Sequence, residues 1–316
     1  MSFSIRVFTT AAVLICFSLS FASTEINRAD PPLFAVGVDM VFLKATVSDR
    51  LNRRVAGLPK EYFHIYEDSV EQSILSFSEE TAPVSMGLIF DISGSMRENG
   101  KIQEARAALI RLLKRADPGD EFFLLTFNET PTLTMDFTRD TGFVSSQAAI
   151  QGLGGRTALY DAIYAGLSKI RTGKNERKAI IIFSDFEENS SRYKLSEVND
   201  YSKELDVQIY AIGEPEMQKG LMTKPFAQAM EYRRNRLQVE NMAGMTGGQA
   251  FFPANVNEID NDVDLIYSEL RNEYVLGYVP TSANHDGKWR RIQVKLDRSV
   301  PNVVVHARGG YYTSKY

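Results

Sequence analysis

The stretch that decides the fold is Val84 to Arg97, Val-Ser-Met-Gly-Leu-Ile-Phe-Asp-Ile-Ser-Gly-Ser-Met-Arg. Met86 to Phe90 is an apolar, strand-like run that stops at Asp91; Ser93, Gly94 and Ser95 follow, and a helical pattern opens near Lys101. A carboxylate and two hydroxyls therefore meet at a strand-to-helix turn. Oxygen ligands with no soft atom among them suit a hard divalent cation such as Mg²⁺.

Outward from this turn, apolar runs alternate with helical patterns. Lys101 to Ala116 places Ile102, Ala105, Leu109 and Leu112 on one face, and Phe122 to Phe127 is strand-like. A short strand near Thr132 to Phe137 and a brief helix around Val144 to Ile150 come next. The helix after Thr157 carries Leu159, Ile163, Gly166 and Ile170 on one side. Ala179 to Phe183 ends in Ser184 and Asp185, and Val207 to Ile212 ends at Gly213. Beyond a polar connection at Glu214 to Lys224, Pro225 to Ala243 is helical with arginines at Arg233, Arg234 and Arg236. Gly247 to Phe252, a helix from Glu258 and a run from Tyr274 to Val279 complete the series. Near-continuous apolar strands alternating with amphipathic helices predict an α/β domain over 84–279, with a Rossmann-like, doubly wound, mostly parallel sheet covered on both faces.

The flanks follow a different rhythm. Val36 to Ser48, Tyr62 to Glu67 and Ser73 to Ser78 precede this domain; Trp289 to Leu296, Val303 to His306 and Tyr311 to Thr313 follow it, and all are β-rich. Each set alone has few strands with which to bury a core. The expectation is that 35–80 and 280–316 pair into one small β domain into which the α/β domain is inserted.

Arg6 followed by the apolar stretch Val7 to Phe21, with small residues Ser20 and Ala22 at a cleavage point, reads as a secretory signal over 1–22. Secretion or a periplasmic location is then expected, with no membrane span after cleavage, because no later stretch is long and apolar enough. The single cysteine, Cys16, falls in that signal, and Ile15 before it is not the small residue a lipoprotein signal wants. The mature chain would lack disulfides. A net charge of -4 gives no nucleic-acid surface.

Two acidic residues stand directly after apolar strands, Asp91 and Asp185, and strand carboxyl ends border the ligand crevice of an open parallel sheet. A glycine-rich approach, Gly152, Gly154 and Gly155, leads to Thr157 at the start of a helix, where a hydroxyl can cap the helix or face a cation. Asp91, Ser93, Ser95, Thr157 and Asp185 thus offer five oxygen donors but only two formal charges. Such a site leaves the cation underneutralised, and an incoming carboxylate could complete its shell. Asp161, in the first turn of the helix, and Glu187 are candidates to support the ligands rather than to bind the ion.

Asp91-Ile-Ser93-Gly-Ser95, with Gly-Gly-Arg-Thr157-Ala-Leu-Tyr-Asp161 downstream and a strand ending at Asp185, resembles the metal-ion-dependent adhesion site of von Willebrand factor A domains. From Val36 to Tyr312 the chain also resembles an acidobacterial-type subgroup of secreted proteins built on that domain. That likeness rests on Phe63 to Asp68, Tyr274 to Pro280, Asp286 to Arg291 and Gly309 to Tyr312. The resemblance implies a Rossmann-like domain that binds Mg²⁺, or Mn²⁺ or Ca²⁺, and grips an exposed acidic residue of a partner protein. It implies Asp91, Ser93 and Ser95 as the first ligand loop, Thr157 as the second and Asp185 as the third. Many relatives place Gly after the third-loop Asp, whereas Phe186, Glu187 and Glu188 follow here.

Competing readings are weaker. Asp260, Asp262 and Asp264 do not form a calcium loop, because Leu265 and Arg271 occupy the positions that need Gly and a bidentate Glu. His64, His285 and His306 are scattered, no Gly-x-Ser-x-Gly elbow is present and the mature chain would have no cysteine, so a Ser or Cys nucleophile has little support; the expectation is adhesion rather than turnover, and no enzyme. A Mg²⁺-dependent phosphatase of the haloacid dehalogenase type would need an Asp two residues after Asp91, where Ser93 stands. A structural envelope module with a vestigial metal site is the other alternative. Met217, Met222 and Met230 read as core gap fillers.

Overall fold

The computed structural model describes residues 40–51, 53–213, 226–253, 255–281 and 285–314. The expected signal (1–22) and the whole polar connection at 214–224, with Met217 and Met222, lie outside these residues.

Six strands form the central sheet: β5 (Val84–Asp91), β6 (Glu121–Phe127), β7 (Pro131–Thr138), β8 (Arg177–Phe183), β9 (Gln208–Ile212) and β10 (Ala250–Phe251). Their order is β10-β9-β8-β5-β6-β7; β7 is an antiparallel edge and the other pairings are parallel. β5 and β6 are buried along their whole length, which is why they read as unbroken apolar runs rather than alternating ones. One face is covered by α1 (Lys101–Lys114), α2 (Thr141–Ala149) and α6 (Val256–Arg271). The other is covered by α3 (Leu159–Ile170), α4 (Leu195–Glu204) and α5 (Phe226–Met245). Sequence periodicity passes over α4, whose only large fully buried apolar side chain is Val198; Glu197 anchors its start by accepting from the Lys194 backbone N–H at 2.8 Å.

The flanking strands build a second core. β1 (Val41–Asp49), β4 (Ile74–Thr81), β11 (Asn272–Tyr278) and β13 (Val303–Ala307) form one antiparallel sheet in the order β13-β1-β11-β4. β2 (Phe63–Glu67), β3 (Val70–Gln72), β12 (Trp289–Leu296) and β14 (Gly310–Tyr312) form another in the order β14-β12-β2-β3. Both contribute to one apolar cluster, in which Leu43, Val47, Tyr274 and Leu276 meet Phe63, Ile65, Ile292 and Val294. The chain's two flanks are joined by pairing of β1 with β13 and of β2 with β12. Neither flank closes a core alone, which is the physical basis for inserting the α/β region between them.

One strand differs from expectation. The run from Tyr274, read from sequence as the end of the α/β series, follows α6 without a break and lies between β1 and β4 in the antiparallel sheet. An apolar run carries no label for the sheet it joins. Met230 is also not a core filler: it is 49% exposed. Asp260 and Asp264 pair with Arg111 and Arg115 of α1, as a helix surface does.

Candidate metal centre

β5 lies between β8 and β6, so the chain leaves it in opposite directions and a crevice opens at the carboxyl ends of β5 and β8. Asp91 ends β5, and Ser184 and Asp185 follow β8. Asp91, Ser93, Thr157 and Asp185 are all buried.

Backbone hydrogen bonds stitch the three loops together. Gly94 N donates to Gly155 O at 3.0 Å and Gly154 N to Ile92 O at 2.9 Å, joining the first loop to the second. Asn189 N donates to Thr157 O at 3.0 Å, and the Asn189 side chain accepts from Thr157 N at 2.9 Å, joining the second to the third. This approach requires glycine: Gly154 and Gly155 have φ of 157° and 82°, and a Cβ on Gly94 would sit 3.1 Å from Gly155 O.

Within this frame Asp91 Oδ1 accepts from Ser93 N at 2.8 Å, and Oδ2 accepts from the Ser184 hydroxyl at 2.5 Å. The Ser93 and Ser95 hydroxyl oxygens are 3.1 Å apart. Adjacent oxygens of an octahedral Mg²⁺ shell with bonds of about 2.05 Å are separated by about 2.9 Å, so the pair is spaced as neighbouring ligands would be. Burial, and after it the charge of Asp185, push the Asp91 carboxyl up to about 7, against the pull of the Ser184 and Ser93 hydrogen bonds. A divalent cation would oppose both upward effects. No group of three His, Cys, Asp or Glu side chains suited to a metal occurs among the described residues. An ion here would draw on serine and threonine hydroxyls together with two carboxylates, a donor set that fits a hard cation.

The structure therefore brings Asp91, Ser93 and Ser95 together, sets Asp185 close enough to raise Asp91, and ties Thr157 to the third loop through its backbone. Asp161 is used elsewhere: its Oδ1 accepts from Arg192 N and Tyr193 N, both at 2.9 Å, which fixes the chain leading into α4. Glu188 is likewise occupied, accepting from Ser190 N, Ser191 N, the Ser191 hydroxyl and Tyr160 N at the start of α3. Glu187, whose backbone N–H donates to Asp185 Oδ1 at 3.2 Å, borders an acidic cleft with Glu98, Glu188 and Glu231. Phe186 has φ of 60°, a left-handed value at which glycine costs nothing and a bulky residue is strained. Its ring is buried against Phe252, with centroids 5.7 Å apart, which offsets that strain.

Two residues escape the sequence reading. Ser184 links Asp91 to the third loop, since its hydroxyl also accepts from Phe186 N at 2.9 Å. Lys101 Nζ lies 2.7 Å from Asp185 Oδ2, with both side chains buried. A lysine at the first position of a helix, four residues before buried-face Ala105, is the signal that could have exposed it.

Residues 86–188 match the family model of the von Willebrand factor type A domain. This part of the chain is a von Willebrand factor type A domain, in keeping with the sheet order and switch-point crevice. No curated protein sequence matches the chain. Among solved structures it is similar to a von Willebrand factor type A protein from Catenulispora acidiphila, at 11% identity over 88% of this chain and 74% of that one, with a TM-score of 0.48. It is also similar to proximal thread matrix protein 1 of the mussel byssus with a zinc-occupied MIDAS motif, at 14% identity over 64% and 49%, TM-score 0.49. A third is the conserved hypothetical protein BatB from Bacteroides thetaiotaomicron, at 14% identity over 59% and 98%, TM-score 0.44.

Proposed function

We propose that this chain is a secreted or periplasmic binding protein whose A domain holds a Mg²⁺-type cation and uses it to engage a carboxylate on a partner protein. Asp91, Ser93, Ser95, Thr157 and Asp185 would hold the ion, which supplies a positive contact point. The observation that carries the reading is the all-oxygen cluster of the buried Asp91 and Ser93 with the half-buried Ser95, held in the switch-point crevice beside Asp185 by three mutually bonded loops. The acidic border formed by Glu98, Glu187 and Glu231 disfavours a carboxylate approaching without the ion.

Binding of the ion to the native state alone adds stability by mass action, about 2.7 kcal/mol at a hundredfold excess over Kd. Thermal unfolding with Mg²⁺ and with chelator should therefore show a rise in Tm that Asp91→Ala abolishes. An equal Mg²⁺ response in that variant would overturn the assignment. The contact itself is tested by capture of envelope proteins with Mg²⁺ and with chelator, where partners recovered equally under both conditions would contradict it. The buried Lys101–Asp185 pair favours a second reading, a structural module in which the lysine has permanently replaced the ion; no Mg²⁺ response in the wild type is its signature.

A further inference from the structure

Lys101 has no role in the adhesion reading. It is the first residue of α1, where the aligned peptide dipoles favour an anion, and it is only 5% exposed, where an ammonium is costly without a partner. Asp185, 2.7 Å away, is such a partner. Ser95 lies six residues before Lys101, in a 3-10 segment that the non-helical Glu98 and Asn99 break before α1 begins, so hydroxyl ligand and ammonium sit on one short piece of chain.

We propose that Lys101 is a built-in counter-cation that competes with the divalent ion for this site. The inference rests on reading Asp91, Ser93, Ser95, Thr157 and Asp185 as the cation ligands. The charge count gives its basis. Two of the proposed ligands are carboxylates, and Glu104 lines the same cavity as Lys101 and Asp185; adding a divalent ion to the ammonium raises the positive charge beside them from one to three. The ion is therefore held against Lys101 unless the ammonium withdraws from Asp185 or a partner carboxylate brings a further negative charge. Lys101 thereby weakens binding of the free ion and leaves a place for the acidic partner. It also sustains the metal-free site, because Asp185 keeps a counter-charge when no ion is present.

The test is a calorimetric Mg²⁺ titration, with Tm in Mg²⁺ and in chelator, on the full chain and on Lys101→Met, Lys101→Gln and Lys101→Arg. Removing the charge should tighten Mg²⁺ binding by about tenfold or more, a conservative figure for two buried cations a few ångströms apart. Lys101→Met and Lys101→Gln should also lower Tm in chelator, whereas Lys101→Arg keeps the charge and should bind Mg²⁺ no more tightly than the wild type. Lys101→Gln keeps a hydrogen-bond donor to Asp185, so it carries the comparison if Lys101→Met does not fold. Equal or weaker Mg²⁺ binding without the lysine charge, beside a clear wild-type response, overturns the competition and leaves the metal reading standing. A response that appears only when the charge is removed supports the competition while overturning metal use by the wild type. No response in any of the four proteins overturns both.

Discussion

The central sheet buries charge at both of its ends, and the two ends are built differently. At the amino end Asp120 accepts from Val84 N and Asp117 N, each at 2.9 Å, and from the Tyr267 hydroxyl at 2.7 Å, while Arg271 stands 3.3 Å away. Beside it Arg177 pairs with Glu273 at 3.0 Å and donates to the carbonyls of Glu80 and Arg271, tying the α/β sheet to the β4 and β11 side of the sandwich. These groups sit in, or at the ends of, strands and helices. At the carboxyl end Asp91 and Asp185 open onto loops that take left-handed φ values at Asn99, Gly154, Gly155 and Phe186. The cation there is an ammonium on a four-carbon stem. A guanidinium fork among carbonyls fixes an arrangement, whereas an ammonium against a carboxylate is a point charge that another cation can replace.

The sharpest break in this contrast is Arg177→Met. It leaves Glu273 buried without the guanidinium paired to it, with Lys44 the remaining charge that favours its ionised form, and should lower the unfolding free energy by about 3 kcal/mol at pH 8, read by urea denaturation. The Mg²⁺-dependent change in Tm should survive, and its loss would show that the two ends are not independent.

A smaller effect is expected at Glu269, also on the amino-end side, which accepts from Tyr210 and Gln249. Burial raises its carboxyl to about 7. The native state therefore holds a proton that the unfolded chain has released, and this contribution to stability is full below about 4.5 and lost as pH rises through about 7. Glu269→Gln should flatten that decline, gaining on the wild type between pH 5 and pH 8 by no more than about 3 kcal/mol. Parallel pH profiles would refute the buried-proton account.

The smallest effect belongs to Arg192→Ala. The Arg192 side chain is 82% exposed, and its pair with Asp161 should contribute less than about 1 kcal/mol. The backbone bonds from Arg192 and Tyr193 to Asp161 remain, so the Mg²⁺ response should not change. A large loss would mean that the guanidinium, rather than those bonds, holds the loop.

Much of this architecture was legible in the chain. β5, β6 and β8 are buried on both sides, so their apolar runs and the polar residues that end them mark strand and crevice together. Asp91, Ser93 and Ser95 are neighbours in sequence, and a single turn suffices to gather them. What was not legible depended on distant partners. The run from Tyr274 has the composition of either kind of strand, and only pairing with Leu43 and Phe77 places its Leu276 in the antiparallel sheet.

The sequence by itself determined the alternating α/β pattern and the oxygen-rich turn, because periodicity and ligand chemistry are local properties. The tertiary structure decided that Lys101 meets Asp185 across 84 positions, that Ser184 braces Asp91, and that Glu188 is consumed as a loop anchor while Glu187 faces the cleft. A charge has a fixed sign in the sequence, but its work depends on which opposite charge folding brings within a few ångströms and whether water remains between them.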